Sequence, residues 1–111
     1  MPFSSVYPHY VTKVTKKGRT EEELHTVIRW LTGFSQKQLD TFIADTTTLE
    51  QFFKKAKINP ASTLITGSIC GYKVQEIEDP LMQKIRFLDK IVDELAKGKA
   101  VEKICRELPV S

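Results

Sequence analysis

The strongest structural signal in this chain is the run TEEELHTVIRWLTG, residues 20–33. Thr20 and Glu23 have the spacing of a capping box, in which each side chain accepts a hydrogen bond from the other residue's backbone N–H. Gly33 is suited to end the helix in a left-handed conformation. The apolar residues between these ends recur every three or four positions, as on one face of an α-helix: Leu24, Val27, Ile28 and Leu31. The run therefore predicts an amphipathic helix with one buried face.

Similar start signals recur along the rest of the chain. Two of them repeat the capping box, namely Ser35 with Gln38 and Thr48 with Gln51. Three others place a proline where the first helical turn is expected: Tyr7-Pro8, Asn59-Pro60 and Asp79-Pro80. The pattern predicts that the first helix opens at Pro8, because a missing N–H is harmless in a first turn.

Two helices are predicted in the last third of the chain. The longest one covers residues 79–98, where apolar residues keep one face over about four turns. The last one covers residues 99–109 and is expected to end at a proline. Within it, Glu102 and Arg106 have the spacing of an ion pair four residues apart.

The helical pattern fails over residues 68–77. Gly67 and Gly71 bracket the start of this segment, and residues 72–74 are of types common in strands. A lone strand leaves backbone groups unpaired, so a partner is expected. Residues 3–6 or a second subunit would supply it, and the second choice predicts a homodimer.

These elements indicate one helical domain over residues 1–111. Helices this short are marginal in isolation, so they must bury their apolar faces against one another. The predicted fold is mainly all-α, a compact globule of about six short crossing helices with a possible small β element around residues 69–77.

Composition restricts the class of protein. The chain has 28% charged residues and a net charge of only +3, which is a weak basis for a nucleic-acid partner. No apolar run approaches the ~20 residues of a membrane span, and the N-terminus lacks a secretory signal. The protein is therefore expected in the cytoplasm, with no membrane partner and with Cys70 and Cys105 as free thiols. Two isolated cysteines predict no metal site, and no cofactor is predicted.

A ligand-binding surface is predicted at the glycine-containing segment, because glycines allow a ligand to approach the backbone closely. Cys70 in this loop could act as a nucleophile, but His9 and His25 are both distant in sequence and a buried, inert cysteine is the favoured interpretation. No catalytic residue is assigned. The candidate binding surface comprises Gly67, Ser68, Cys70, Gly71, Tyr72 and Trp30.

Residues 21–31 and 36–44 have the lengths of a helix-turn-helix motif. Arg29 stands where such motifs usually have a small residue, and Asp40 and Asp45 would repel phosphate. Two consecutive amphipathic helices without DNA binding are therefore favoured.

Two clusters of charged residues are also interpreted as surface features rather than as binding sites. The basic stretch Lys13, Lys16, Lys17 and Arg19 is taken as a solvated helix end. The carboxylates of Glu76, Glu78 and Asp79 are taken as surface groups, with Asp79 as a helix cap rather than a ligand for a hard cation.

Several runs of the sequence resemble a bacterial family known as domain of unknown function 2200. They are VIRWLTGFS (27–35), residues 59–67, Cys70-Gly71, EIEDPLM (76–82) and residues 88–99. The resemblance covers nearly the whole chain and implies a bacterial cytoplasmic protein. It implies no activity, cofactor or catalytic residue.

The preferred hypothesis is a non-enzymatic binding or protein-interaction module. One alternative is a helix-turn-helix-like nucleic-acid-binding protein, and another is an enzyme that uses Cys70.

Overall fold

Six α-helices form most of the protein in the computed structural model, which describes residues 2–69 and 71–106 apart from the Tyr72 side chain. The helices are α1 (Phe3–Thr15), α2 (Glu21–Thr32), α3 (Gln36–Ala44), α4 (Leu49–Lys55), α5 (Pro80–Ala96) and α6 (Val101–Ile104). Two short 3₁₀ helices, Pro60–Leu64 and Val74–Glu76, flank a small hairpin of β1 (Ser68–Ile69) and β2 (Tyr72–Lys73). The predicted all-α fold with a small β element is confirmed.

All three predicted capping boxes are present. The hydroxyls of Thr20, Ser35 and Thr48 each accept from the backbone N–H three residues later. Gly33 ends α2 in the left-handed conformation, with φ of 72°. The apolar face predicted for α2 is fully buried. Local hydrogen bonding therefore sets where these helices begin.

Helix α5 lies at the centre of the fold and contacts α1, α2, α4, α6 and the hairpin. An aromatic cluster joins α1, α3 and α4 beside it. The Phe52 ring stacks on Phe3 with centroids 4.3 Å apart, while Phe34, Phe42 and Phe53 meet Phe52 at steep angles. Stacked and edge-to-face contacts of this kind add to the hydrophobic burial that holds the short helices together.

The prediction that the first helix opens at Pro8 is wrong. Helix α1 begins at Phe3, whose N–H donates to the carbonyl of Thr47 at 2.8 Å, and Pro8 lies inside the helix on its exposed side. The residues before Pro8 are helical because they contribute to the buried face of α1. This face consists of residues at the spacing of successive turns: Phe3, Tyr7, Tyr10 and Val14. Burial of this face outweighs the hydrogen bond that Pro8 removes.

The strand predicted at residues 72–74 has a partner that was not expected for it. Strand β2 pairs antiparallel with β1, so that Ser68 faces Lys73 and Ile69 faces Tyr72. Residues 3–6 belong to α1 and do not supply a strand. Because the hairpin pairs its own backbone, the reason for expecting a second subunit disappears, and the homodimer stays a prediction.

The last helix is shorter than predicted, and the expected pair between Glu102 and Arg106 is not formed. Helix α6 ends at Ile104, so Arg106 has left the helical spacing. Its guanidinium instead donates to both carboxylate oxygens of buried Glu94, at 3.0 and 2.8 Å. The predicted end at Pro109 lies outside the described residues.

Candidate functional site

An open cleft of about 670 Å³ lies between the hairpin and the first turns of α5. We call it the hairpin cleft. Its lining comes from the turn and second strand of the hairpin, from the end of the second 3₁₀ helix and the segment after it, and from α5: Gly71, Lys73, Glu76, Ile77, Glu78, Met82 and Arg86.

Local hydrogen bonds hold the walls of the cleft in place. The Asp79 carboxylate accepts from the N–H of Met82 at 3.0 Å and so caps α5 as predicted. Buried Val74 ties the hairpin to α5: its N–H donates to the carbonyl of Gly67, and its carbonyl accepts from the Gln83 side chain at 3.1 Å. Hydrogen bonds therefore connect the hairpin side of the cleft to α5.

The lining combines apolar surface with balanced charge. Ile77 is half-buried, and Met82 is 43% exposed. Two cations and two carboxylates surround these side chains: Lys73, Arg86, Glu76 and Glu78. A cleft of this composition suits a ligand with an apolar body and polar ends.

Arg86 is the most constrained charge in the cleft. Its Nη1 donates to Asp89 at 2.9 Å, and the other oxygen of Asp89 accepts from the Tyr10 hydroxyl at 2.6 Å. Burial, together with the neighbouring Asp89 charge, raises the pKa of Tyr10 well above its usual range. The tyrosine therefore stays protonated and braces the Asp89–Arg86 pair from α1.

The structure brings only part of the predicted binding surface into the cleft. Gly71 lines it, whereas Gly67 and exposed Ser68 lie at the base of the hairpin. Cys70 and the side chain of Tyr72 lie outside the described residues. Trp30 is not among the lining residues, and its indole N–H donates to the carbonyl of Arg106 at 3.1 Å.

Sequence reasoning missed Met82 and Arg86 and interpreted Glu76 and Glu78 only as surface charge. One signal was present for Met82: it is apolar yet lies beside, rather than on, the buried stripe of α5. Such a position left Met82 outside the predicted buried face of α5.

A second polar cluster joins the first three helices. The Tyr7 hydroxyl hydrogen-bonds to Glu21 and to Nε2 of His25, while the amide nitrogen of Gln36 lies 2.9 Å from Nδ1 of His25. The same amide nitrogen donates to Asp40 at 2.7 Å. Burial and the bond to Glu21 raise the pKa of Tyr7 strongly. Because each group engages the next, the cluster serves as a link between helices.

The helix proposed to read DNA has several of its polar groups engaged internally. Gln36 contacts His25 and Asp40, and Gln38 completes the capping box with Ser35. The basic stretch is partly neutralised as well, since Lys13 pairs with Asp93 at 3.1 Å and Arg19 pairs with Glu23 at 2.7 Å. These contacts weaken the argument for a nucleic-acid interface.

Neither the environment of Cys105 nor the grouping of the described acidic side chains indicates a reactive or metal-binding site. Burial raises the pKa of the Cys105 thiol, which lowers its reactivity. In residues 2–69 and 71–106, no three His, Cys, Asp or Glu side chains are grouped so as to hold a metal ion.

Across those same residues, no helix has the length and apolarity needed to cross a membrane.

A model of a family described as "Uncharacterized protein conserved in bacteria (DUF2200)" matches residues 1–106. The chain belongs to this family. The resemblance noted in the sequence is thereby confirmed for the DUF2200 protein.

One solved structure is similar to the DUF2200 protein. The crystal structure of the uncharacterized protein SP1917 is 43% identical, with a TM-score of 0.88 over 94% of this chain and 86% of that one. No functionally curated protein matches the sequence. The helical fold is therefore shared with a solved relative.

Proposed function

We propose that this protein is a non-enzymatic binding module and that the hairpin cleft is its binding site. The observation that carries the proposal is the cleft itself, in which exposed Met82 and half-buried Ile77 stand beside a braced arginine. Its volume of about 670 Å³ lies within the range typical of small-ligand pockets, about 300–1,000 Å³.

The residues of the cleft suit binding better than catalysis. Among the lining side chains that the structure describes, none is a serine, cysteine or histidine. Lys73, Glu76 and Glu78 are exposed, whereas catalytic groups are commonly held in sites from which water is excluded.

We also infer a cytoplasmic location. Cys105 is a free thiol, which is typical of a reducing compartment. Bacterial family membership is compatible with this inference.

The test is an NMR titration of the ¹⁵N-labelled protein with a panel of amino acids, short peptides, carboxylic acids, nucleotides and a random DNA duplex. We expect at least one class of compound to shift the backbone amides of residues 71–86 first. Shifts confined to residues 21–44 on addition of DNA would instead support a nucleic-acid interface.

A pair of variants ties any binding to the cleft. Met82→Glu places a charge on the apolar part of the lining and should weaken the interaction by about tenfold, the equivalent of ~1.4 kcal/mol. Leu64→Glu is the matched control, because Leu64 is similarly exposed, at 39%, but does not line the cleft. Equal effects of both substitutions, or no response of residues 71–86 to any member of the panel, would refute the proposal.

A further inference from the structure

We propose that the contact between α2 and α3 is pH-sensitive: the Gln36 side chain binds the neutral ring of His25 and is displaced when that ring gains a proton. His25 belongs to the polar cluster that joins the first three helices, which comprises Tyr7, Glu21, His25, Gln36 and Asp40. None of these residues lines the hairpin cleft, so the inference is independent of the proposed function.

The Tyr7 hydroxyl fixes the state of one ring nitrogen of His25. A carboxylate can only accept, so the hydroxyl donates its single proton to Glu21. Burial and this bond to Glu21 raise the pKa of Tyr7, so the proton stays on the hydroxyl. The Tyr7 oxygen is then an acceptor toward Nε2 of His25. Nε2 therefore carries a hydrogen.

Asp40 fixes the orientation of the Gln36 amide. The amide nitrogen lies 2.7 Å from a carboxylate oxygen of Asp40, one turn further along α3. Turning the amide round would bring two acceptors together at this distance, so its nitrogen rather than its oxygen faces Asp40. The same nitrogen lies 2.9 Å from Nδ1 of His25. Its two hydrogens therefore serve Asp40 and Nδ1, and Nδ1 is an acceptor.

The cluster consequently fits a neutral His25 ring with its hydrogen on Nε2. A proton added to this ring goes to Nδ1, the nitrogen that has a lone pair. Nδ1–H would then point at the N–H₂ group of Gln36, and two donors form no hydrogen bond with each other. Turning the amide would set its oxygen against the Asp40 carboxylate. Gln36 must therefore move away from the protonated ring.

The charged groups around His25 act on the two sides of the ring differently. A Glu21 oxygen lies 3.6 Å from Nε2, so the cationic ring keeps its partners on α1 and α2. Arg29, one turn along α2, contacts the backbone carbonyl of His25 at 3.4 Å. On α3, Asp40 can accept from Nδ1–H once the amide between them has moved. The ring is 15% exposed, so a proton can reach it from solvent.

NMR spectroscopy of the wild-type protein at pH 8 and pH 5 tests the proposal, because these values lie on either side of ~6.5, the ordinary pKa of a histidine. At pH 8 we expect ring ¹⁵N signals of the Nε2–H form and a nuclear Overhauser effect (NOE) between the Gln36 side chain and the His25 ring. At pH 5 the ring should be protonated and this NOE lost. Exposed His9 is the internal control, and its protonation should leave the Gln36 signals unchanged.

A double variant, Gln36→Glu with Asp40→Asn, reverses the hydrogen-bonding roles without changing the net charge. The carboxylate then present at position 36 accepts from Nδ1–H, and the amide at position 40 donates to that carboxylate. The NOE from side chain 36 to the ring should therefore be stronger at pH 5 than at pH 8. Gln38→Glu is the control, because it adds a carboxylate to α3 outside the cluster and should keep the wild-type response.

Three results would overturn the proposal. They are a wild-type NOE that persists after the ring is protonated, a ring that is still neutral at pH 5, and a double variant whose NOE falls on acidification as in the wild type. The first two use the wild-type chain, so they decide the matter even if the double variant fails to fold.

Discussion

Gly33 and Gly18 adopt nearly the same left-handed backbone conformation, with φ of 72° and 80°, in very different surroundings. A Cβ added to Gly33 would lie 3.0 Å from the carbonyl oxygen of Lys57, whereas a Cβ added to Gly18 would meet nothing within 4 Å. The chain after α4 returns to α2 at this point, where the N–H of Lys57 donates to the carbonyl of Thr32. Gly33 therefore serves both as a helix end and as a site of close packing.

We expect Gly33→Ala to destabilise the protein more than Gly18→Ala. Both substitutions incur the left-handed penalty of ~1–2 kcal/mol, and Gly33→Ala adds an overpacking cost of about 1–3 kcal/mol. Urea denaturation followed by circular dichroism measures both free energies of unfolding. Equal losses for the two variants would show that the contact with Lys57 relaxes without cost.

At the scale of elements, α1 is the helix whose own sequence is least consistent with its structure. Pro8 lies within its 13 residues and cannot donate to the carbonyl one turn earlier. The helix persists because its opposite face is buried and because two of its residues reach α5: Tyr10 contacts Asp89, and Lys13 pairs with Asp93. Tertiary contacts thus outweigh a local preference.

Pro8→Ala should therefore stabilise the protein by about 1–3 kcal/mol, because alanine restores the missing hydrogen bond and suits a helix interior. His9→Ala, at the neighbouring exposed position, is the control and should change stability by less than ~0.5 kcal/mol. Urea denaturation measures both. A loss of stability in Pro8→Ala would mean that the proline itself is needed to place Tyr7 and Tyr10.

For the whole molecule, the helices are tied together by tyrosine hydroxyls as well as by apolar contacts. Tyr7 links α1 to Glu21 and His25 on α2, and Tyr10 links α1 to Asp89 on α5. Burial and the adjacent carboxylates raise the pKa of both tyrosines above that of an exposed tyrosine. These links bind protons more tightly in the folded state than in the unfolded one.

Stability should consequently fall as the pH rises above ~10, the pKa of an exposed tyrosine. Above that value the unfolded chain has lost protons that the folded chain retains, so each tyrosine lowers the free energy of unfolding by ~1.4 kcal/mol per pH unit. Below it, the contribution of these bonds is fully present. Urea denaturation from pH 8 to 11 measures the free energy of unfolding of the wild type and of the double variant that carries Tyr7→Phe and Tyr10→Phe. Parallel curves for the two proteins would contradict it.

Only part of the hairpin cleft could be predicted from the sequence. The irregular segment around Gly67 and Gly71 was correctly singled out as different from the helices around it, and Gly71 lines the cleft. Met82 and Arg86 were missed because they enter the cleft only when α5 packs beside the hairpin. Tyr10, which braces Arg86 through Asp89, is 79 residues away from that aspartate in sequence.

Helix starts such as Thr20, Ser35, Thr48 and Asp79 were predictable from the amino-acid sequence, because a capping bond joins groups at most three residues apart. Buried faces were predictable for the same reason, since helical periodicity is local. The start of α1, the pairing of Arg106 with Glu94 and the shape of the cleft depend on groups that meet only after the chain has folded back on itself. Their energies come from burial and from contacts distant in sequence, which no local pattern records.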